Sequence, residues 1–210
     1  MRVAAIPPWP TINTHLTLYH GCVSSRATSI KNGVHPRRGR PDTDFGCGFY
    51  TTTREHQAVA WAMEVYDLAY PKNLFPNGNP DDPAAVVKFV VPLAALASLN
   101  SLAFVQGDSS NSMFWSFVIH CRDGNSHAHP SPLRIPPDAW YDMVVGPVAS
   151  WPQKSGVSLY CKGTANDVDW EAFDQFSFHT DAAADVLNHL DRSNPAEFEI
   201  TYPILFWMTI

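Results

Sequence analysis

Apolar and polar positions alternate over Leu16–Cys22, with Leu16, Leu18 and His20 on one face and Thr17 and Tyr19 on the other. A period of two predicts a half-buried strand. A short helix is predicted from Ser25 to Asn32, with Ser24 as N-cap and Gly33 where a left-handed C-cap is wanted. Val34–Asp44 is a basic, proline-containing loop running into Phe45–Thr52, a strand entered through Gly46 and Gly48. Thr52 and Glu55 then have capping-box spacing, and Ala58, Trp61, Ala62, Val65 and Ala69 recur at helical intervals until Pro71. Lys72–Pro83 is a polar loop and Ala85–Val91 a buried strand. Asn111 is placed to cap an aromatic-rich helix ending before Gly124. After a loop at Asp123–Pro137, strands are predicted at Tyr141–Val145 and Phe173–His179. A Thr180-capped helix through Leu190 and a last strand at Glu197–Phe206 complete the series, with Ile204–Trp207 as its buried end.

Strands and helices are interspersed without regular βαβ spacing, which favours α+β over a doubly wound sheet. There is no internal repeat and no low-complexity tract, so 210 residues read as a single domain, 1–210. An apolar share of 45% with 16% charged residues describes a folded chain with a sizeable core. The net charge of −6 argues against indiscriminate nucleic-acid binding. Arg37, Arg38 and Arg40 form the only dense basic run. Neither a signal peptide nor a stretch near the roughly 20 apolar residues of a bilayer span is visible. A cytoplasmic location is the default expectation, and export by an unconventional route would leave no mark.

Separated segments carry the chemistry. Leu18-Tyr19-His20-Gly21 closes the first strand. Asp44-Phe45-Gly46-Cys47-Gly48-Phe49-Tyr50-Thr51-Thr52 is followed by Gln57-Ala58 and Trp61-Ala62. Tyr141-Asp142-Met143-Val144-Val145-Gly146-Pro147 and Asp174-Gln175-Phe176-Ser177-Phe178-His179-Thr180 come later. In this order they resemble the ADP-ribosyltransferase superfamily, in the branch shared by diphtheria toxin and the poly(ADP-ribose) polymerases. The nearest likeness is to a group reading YHG, DFGxGFYxT, QAxxWA, YDxVxGP and QxSFxT. The resemblance covers about residues 16–190. It implies two packed mixed β-sheets with flanking helices and a cleft for NAD.

Cleavage between ribose and nicotinamide passes through an oxocarbenium-like state with a leaving group that is already cationic. The protein must hold the ring, fix the ribose and tolerate positive charge on the sugar. An aromatic face seats a cationic ring for about 0.5–2 kcal/mol. The resemblance implies that Tyr50 and Trp61 cover the two nicotinamide faces, that His20 bonds the adenine-side ribose, and that the Gly21 backbone pairs with the carboxamide. Thr51 and Thr52 would supply hydroxyls near the nicotinamide ribose. Arg40, in the loop beside the glycine strand, would meet the pyrophosphate. The family's third element is usually a glutamate on a late strand, and Gln175 occupies that position. An amide can orient a ribose hydroxyl but cannot act as a base. Single-unit transfer or NAD hydrolysis therefore fits better than chain elongation. Asp174, adjacent, alternates to the other face and stands in reserve.

The implied activity is mono-ADP-ribosylation with NAD as substrate and no metal, as in toxins, effectors and defence proteins. The acidic charge makes a protein acceptor the first expectation and a nucleobase the second. The rival readings are an NAD glycohydrolase and a non-catalytic module that binds NAD or ADP-ribose. Zinc at His120, Cys121, His127 and His129 has no matching paired-ligand spacing. A Cys–His nucleophile using Cys47 or Cys22 lacks an orienting carboxylate.

Overall fold

The computed structural model describes residues 14–105, 108–122, 141–149 and 173–202. The first strand, β1 (His15–Val23), is nine residues long and pairs antiparallel along its whole length with β3 (Ala84–Pro92). β7 (Phe198–Thr201) adds antiparallel to the other edge of β3, giving a three-stranded sheet in the order β1-β3-β7. The second sheet has the order β2-β6-β5-β4, from β2 (Phe49–Thr51), β6 (Gln175–Phe178), β5 (Met143–Gly146) and β4 (Ser101–Ala103). Its β4–β5 pair is parallel and the rest antiparallel. The architecture is α+β as expected. Of the two sheets only the larger is mixed among the described strands, where the resemblance implied mixing in both.

Alternation sorts the core into layers. Leu18 and Cys22 of β1 with Val87 and Phe89 of β3 face Met143 and Phe178 of the second sheet, so the sheets share one buried centre. Ala27 and Ile30 of α1 (Ser24–Asn32) and Ala183, Ala184 and Leu187 of α5 (Asp181–Asn188) close its sides. Each fully buried Val, Leu or Phe there contributes roughly 1.5–3 kcal/mol. On the outer face of the first sheet lies α2 (Glu55–Ala69), through Ala58, Ala62 and Tyr66. Against the outer face of the second lies α4 (Asp108–His120), whose Phe114, Phe117 and Val118 surround Phe45 and Phe104.

Several local expectations are corrected. Thr180 does cap α5, accepting from Ala183 N–H at 3.2 Å. Ser24, expected as the cap of α1, is instead its first residue; Val23 holds the cap position without a side-chain bond. Asp82 does the capping from the distant loop, accepting Ser25 N–H at 2.6 Å and Ser25 Oγ at 3.0 Å. The Thr52–Glu55 capping box is not formed: Arg54 is the cap residue of α2 and Thr52 bonds elsewhere. Gly33 takes positive φ (147°) with extended ψ rather than a left-handed helical turn. On α2 the buried stripe runs Ala58–Ala62–Tyr66, and Ala69 is exposed. Asn111 lies a turn inside α4. Residues 45–48 are turns and bends leading to β2, and the short α3 (Leu93–Ala97) and β4 carry too few residues for a legible period. The predicted end of the last strand, Ile204–Trp207, lies outside the described residues.

Candidate functional site

Among the described residues the backbones of the two sheets are joined at one bridge. Tyr19 N–H donates to the Thr52 carbonyl at 2.7 Å, and Thr52 N–H donates to the Tyr19 carbonyl at 2.9 Å. In an antiparallel ladder the next pair of this kind stands two residues on, Gly21 opposite Tyr50. That pair is not formed. The Tyr50 carbonyl accepts instead from His20 Nδ1 at 2.6 Å. β1 and β2 therefore part after Tyr19. Strand alternation turns the N–H and C=O of Gly21 into the gap, because those of His20 and Cys22 face β3.

A carbonyl only accepts, so His20 carries its proton on Nδ1 and keeps a lone pair on Nε2. Burial lowers its pKa from 6.5 to about 4 against the opposing effect of the Tyr50 bond, and the Arg26 charge lowers it a little further. The ring is neutral at neutral pH and stacks on Phe49, centroids 4.5 Å apart. Gly21 is buried beneath α2. A Cβ there would lie 2.1 Å from the Ala58 carbonyl oxygen and 2.7 Å from Ala62 N, so the helix demands glycine whatever binds below it. The turn of α2 that touches Gly21, Ala58 to Ala62, carries the partly buried Trp61.

Tyr50 is fixed at its hydroxyl. It donates to the Gly46 carbonyl at 2.7 Å and accepts from Phe45 N–H at 3.0 Å and Thr43 Oγ1 at 2.8 Å. Burial pushes its pKa well above the ordinary tyrosine value. A phenol so buried and bonded keeps its proton. His179 meets that ring edge-on, centroids 6.5 Å apart.

The threonines following it are engaged within the protein. Thr51 is buried and its Oγ1 donates to the Phe176 carbonyl at 3.3 Å. Thr52 Oγ1 bonds Asp174 Oδ1 and accepts Arg54 N–H at 3.1 Å. Asp174 also takes the Thr53 amide at 2.9 Å and the Thr53 hydroxyl, and Gln57 grips its backbone with Nε2 on the carbonyl (2.7 Å) and Oε1 on the amide (3.2 Å). Asp174 thus staples β6 to the start of α2, on the face opposite Gln175.

Gln175 is 7% exposed and its amide nitrogen donates to Asp44 Oδ2 and to the Pro147 carbonyl, both at 2.8 Å. The same Asp44 carboxylate accepts the Ala149 amide at 2.8 Å, Arg122 Nε at 3.1 Å and Arg122 Nη2. This buried hub joins the glycine loop, the end of α4, the exit of β5 and the start of β6. Arg40 sits outside it. Its side chain is 75% exposed and is held by Asp42 through Nε (3.1 Å) and Nη2 (2.7 Å).

The structure thus brings His20 onto Tyr50, sets the neighbouring Gly21 against the α2 turn that carries Trp61, and puts Gln175 two residues from Ser177, the β6 partner of Tyr50. Asp44, Arg122, Gln57 and His179 were not singled out from sequence as site-shaping residues. The first and third belong to the DFG and QA motifs, whose recurrence was the available signal. Asp142 of the YDxVxGP motif is likewise structural, accepting Thr180 Oγ1 at 2.5 Å and Asn100 N–H at 3.0 Å. Burial pushes up the thiols of Cys22, to about 12, and of Cys47 and Cys121, so a thiolate nucleophile has no support at these three positions. No group of three His, Cys, Asp or Glu among the described residues could hold a metal; His127, His129 and Cys161 lie outside them. No helix of the described residues is long and apolar enough to cross a membrane.

The model of a protein family of unknown function, DUF3990, matches residues 16–189. No curated protein and no solved structure matches the chain.

Proposed function

We propose that this chain, which belongs to the DUF3990 family, binds NAD in the gap between β1 and β2, breaks the nicotinamide–ribose bond and passes a single ADP-ribose to a macromolecule. The supporting observation is the interrupted ladder. An N–H and a C=O of one residue, Gly21, stand side by side without a strand partner, which is the donor–acceptor pair a primary carboxamide needs. Neutral His20, with its Nδ1–H fixed on Tyr50, presents Nε2 as an acceptor for a ribose hydroxyl. The Tyr50 ring seats one face of the cationic nicotinamide and Trp61, from α2, the other. Arg40 meets the pyrophosphate by exchanging its solvated pair with Asp42, a pair worth little where both partners are exposed.

The reaction needs no proton on the leaving group. Nicotinamide departs with the electron pair of the C–N bond, and the acceptor nucleophile closes on the sugar carbon as it loses its own proton to solvent. Gln175 adds no charge, so stabilisation of the cationic sugar falls to ring faces and backbone dipoles. That favours one transfer, or hydrolysis, over chain growth. A protein acceptor suits the acidic chain better than a nucleic acid.

The test is release of free nicotinamide by the purified chain, followed by labelled NAD in a lysate with protease and nuclease arms. Transfer predicts release, acceleration by lysate, and a macromolecular label removed by protease. Release without acceleration or label identifies hydrolysis, and binding without release identifies a non-catalytic module.

A further inference from the structure

We infer that Gln175 is a positioning residue that acts through Asp44 on the Tyr50 ring, an inference that rests on the NAD site proposed above. The chain of contacts is continuous. The Gln175 amide holds Asp44 Oδ2 (2.8 Å), and Asp44 begins the turn whose next two residues grip the Tyr50 hydroxyl, Phe45 by its N–H (3.0 Å) and Gly46 by its carbonyl (2.7 Å). Asp44 is in turn locked by Ala149 N–H and Arg122, so its buried carboxylate accepts four donor atoms, Gln175 Nε2 among them. A buried acceptor that loses a donor moves or is destabilised. Moving Asp44 moves the turn that fixes the ring.

The same geometry says why this position is an amide. The Gln175 nitrogen sits 2.8 Å from a carboxylate oxygen and 2.8 Å from the Pro147 carbonyl oxygen, both acceptors. A glutamate of identical shape would set a negative charge against Asp44 and a lone pair against Pro147. Arg122, the cation at this hub, already binds the Asp44 carboxylate, and Asp174, the carboxylate just before β6, faces Thr52 and Thr53. The carboxylate that the family resemblance places on this strand is therefore disfavoured here by this chain's own Asp44.

Q175E and the apolar, similarly sized Q175M test this in the full chain. Burial beside Asp44 raises the pKa of the new glutamate above its usual value of about 4.3. The protonated acid can still donate to Asp44 but has no second hydrogen for the Pro147 carbonyl, so stability is recovered in part below about pH 4.3 and lost further as pH rises through the raised pKa. At about pH 7.5 the expected loss is on the order of 10 °C in Tm, shrinking on acidification, whereas Q175M loses a pH-independent amount. Well below those temperatures, both variants raise KM for NAD about tenfold, as expected when a stacked cationic ring is mis-seated, with a smaller effect on kcat. A Q175E chain as stable as wild type at every pH, or one that releases nicotinamide faster at unchanged KM, overturns the inference. Variants that lose stability while KM stays at the wild-type value also overturn it, leaving Gln175 a merely structural residue. A wild-type chain that neither binds nor cleaves NAD overturns the proposed function and the substrate-seating role with it. The pH-dependent Tm difference would still report the Gln175–Asp44 contact by itself.

Discussion

In the proposed function the Tyr50 ring seats a ligand, while in the structure its hydroxyl ties Thr43, Phe45 and Gly46 together. Removing only the oxygen should therefore affect stability more than turnover. Y50F is expected to lose about 1–3 kcal/mol, since the Phe45 amide loses its partner and the Gly46 carbonyl keeps only Thr43 Oγ1, while kcat for nicotinamide release stays within a few-fold and KM for NAD rises as the ring loses the grip that seats it. Y50A is expected to abolish release. Urea unfolding and a nicotinamide assay on the two variants separate the roles. His20 gives a pH signature. Its folded pKa of about 4 lies below the unfolded 6.5, so the unfolded chain takes up the proton first. Stability contributed by the neutral ring is present above about pH 6.5 and drains away as pH falls toward 4, on the order of 3 kcal/mol. In H20N, which keeps a donor for the Tyr50 carbonyl, that part of the pH dependence should vanish from equilibrium unfolding curves.

At the scale of elements, two contacts decide how the site is framed. The first is α2 lying directly on β1 at Gly21, an approach only glycine permits. The second is Asp82, which caps α1 across the loop and also accepts the Tyr70 hydroxyl at 2.6 Å, so one side chain fastens a helix start to the segment after α2. D82A is expected to cost about 1–2 kcal/mol and to increase amide exchange over Ser25–Thr28 before the rest of the fold. The long elements were legible in the sequence because their period was long: β1, α2, β3 and α5 came within a residue or two of their bounds. Caps were not. A cap from Asp82 is a tertiary contact, and local spacing points to Ser24 or to the Thr52–Glu55 box instead. Thr52 is drawn away because Asp174, distant in sequence, offers its hydroxyl a carboxylate. The site divides the same way. The strand ends carrying His20, Gly21 and Tyr50 were readable from pattern and motif, but the closing of Asp44 on Gln175 was not, since it spans 131 positions along the chain.

For the whole molecule, the layering of α2, first sheet, shared core, second sheet and α4 leaves one place where the sheets join by a single bridge and then separate. The central claim is that a carboxamide completes the ladder there. The most direct measurement is an NMR titration of the isotope-labelled chain with nicotinamide and with NAD, following backbone amides. The account predicts that the Gly21 amide moves downfield and saturates with either ligand, together with the Trp61 indole, while amides of β7, on the far edge of the first sheet, stay still. A saturable response that leaves Gly21 and Trp61 unmoved, or no response to NAD at millimolar concentration, contradicts it.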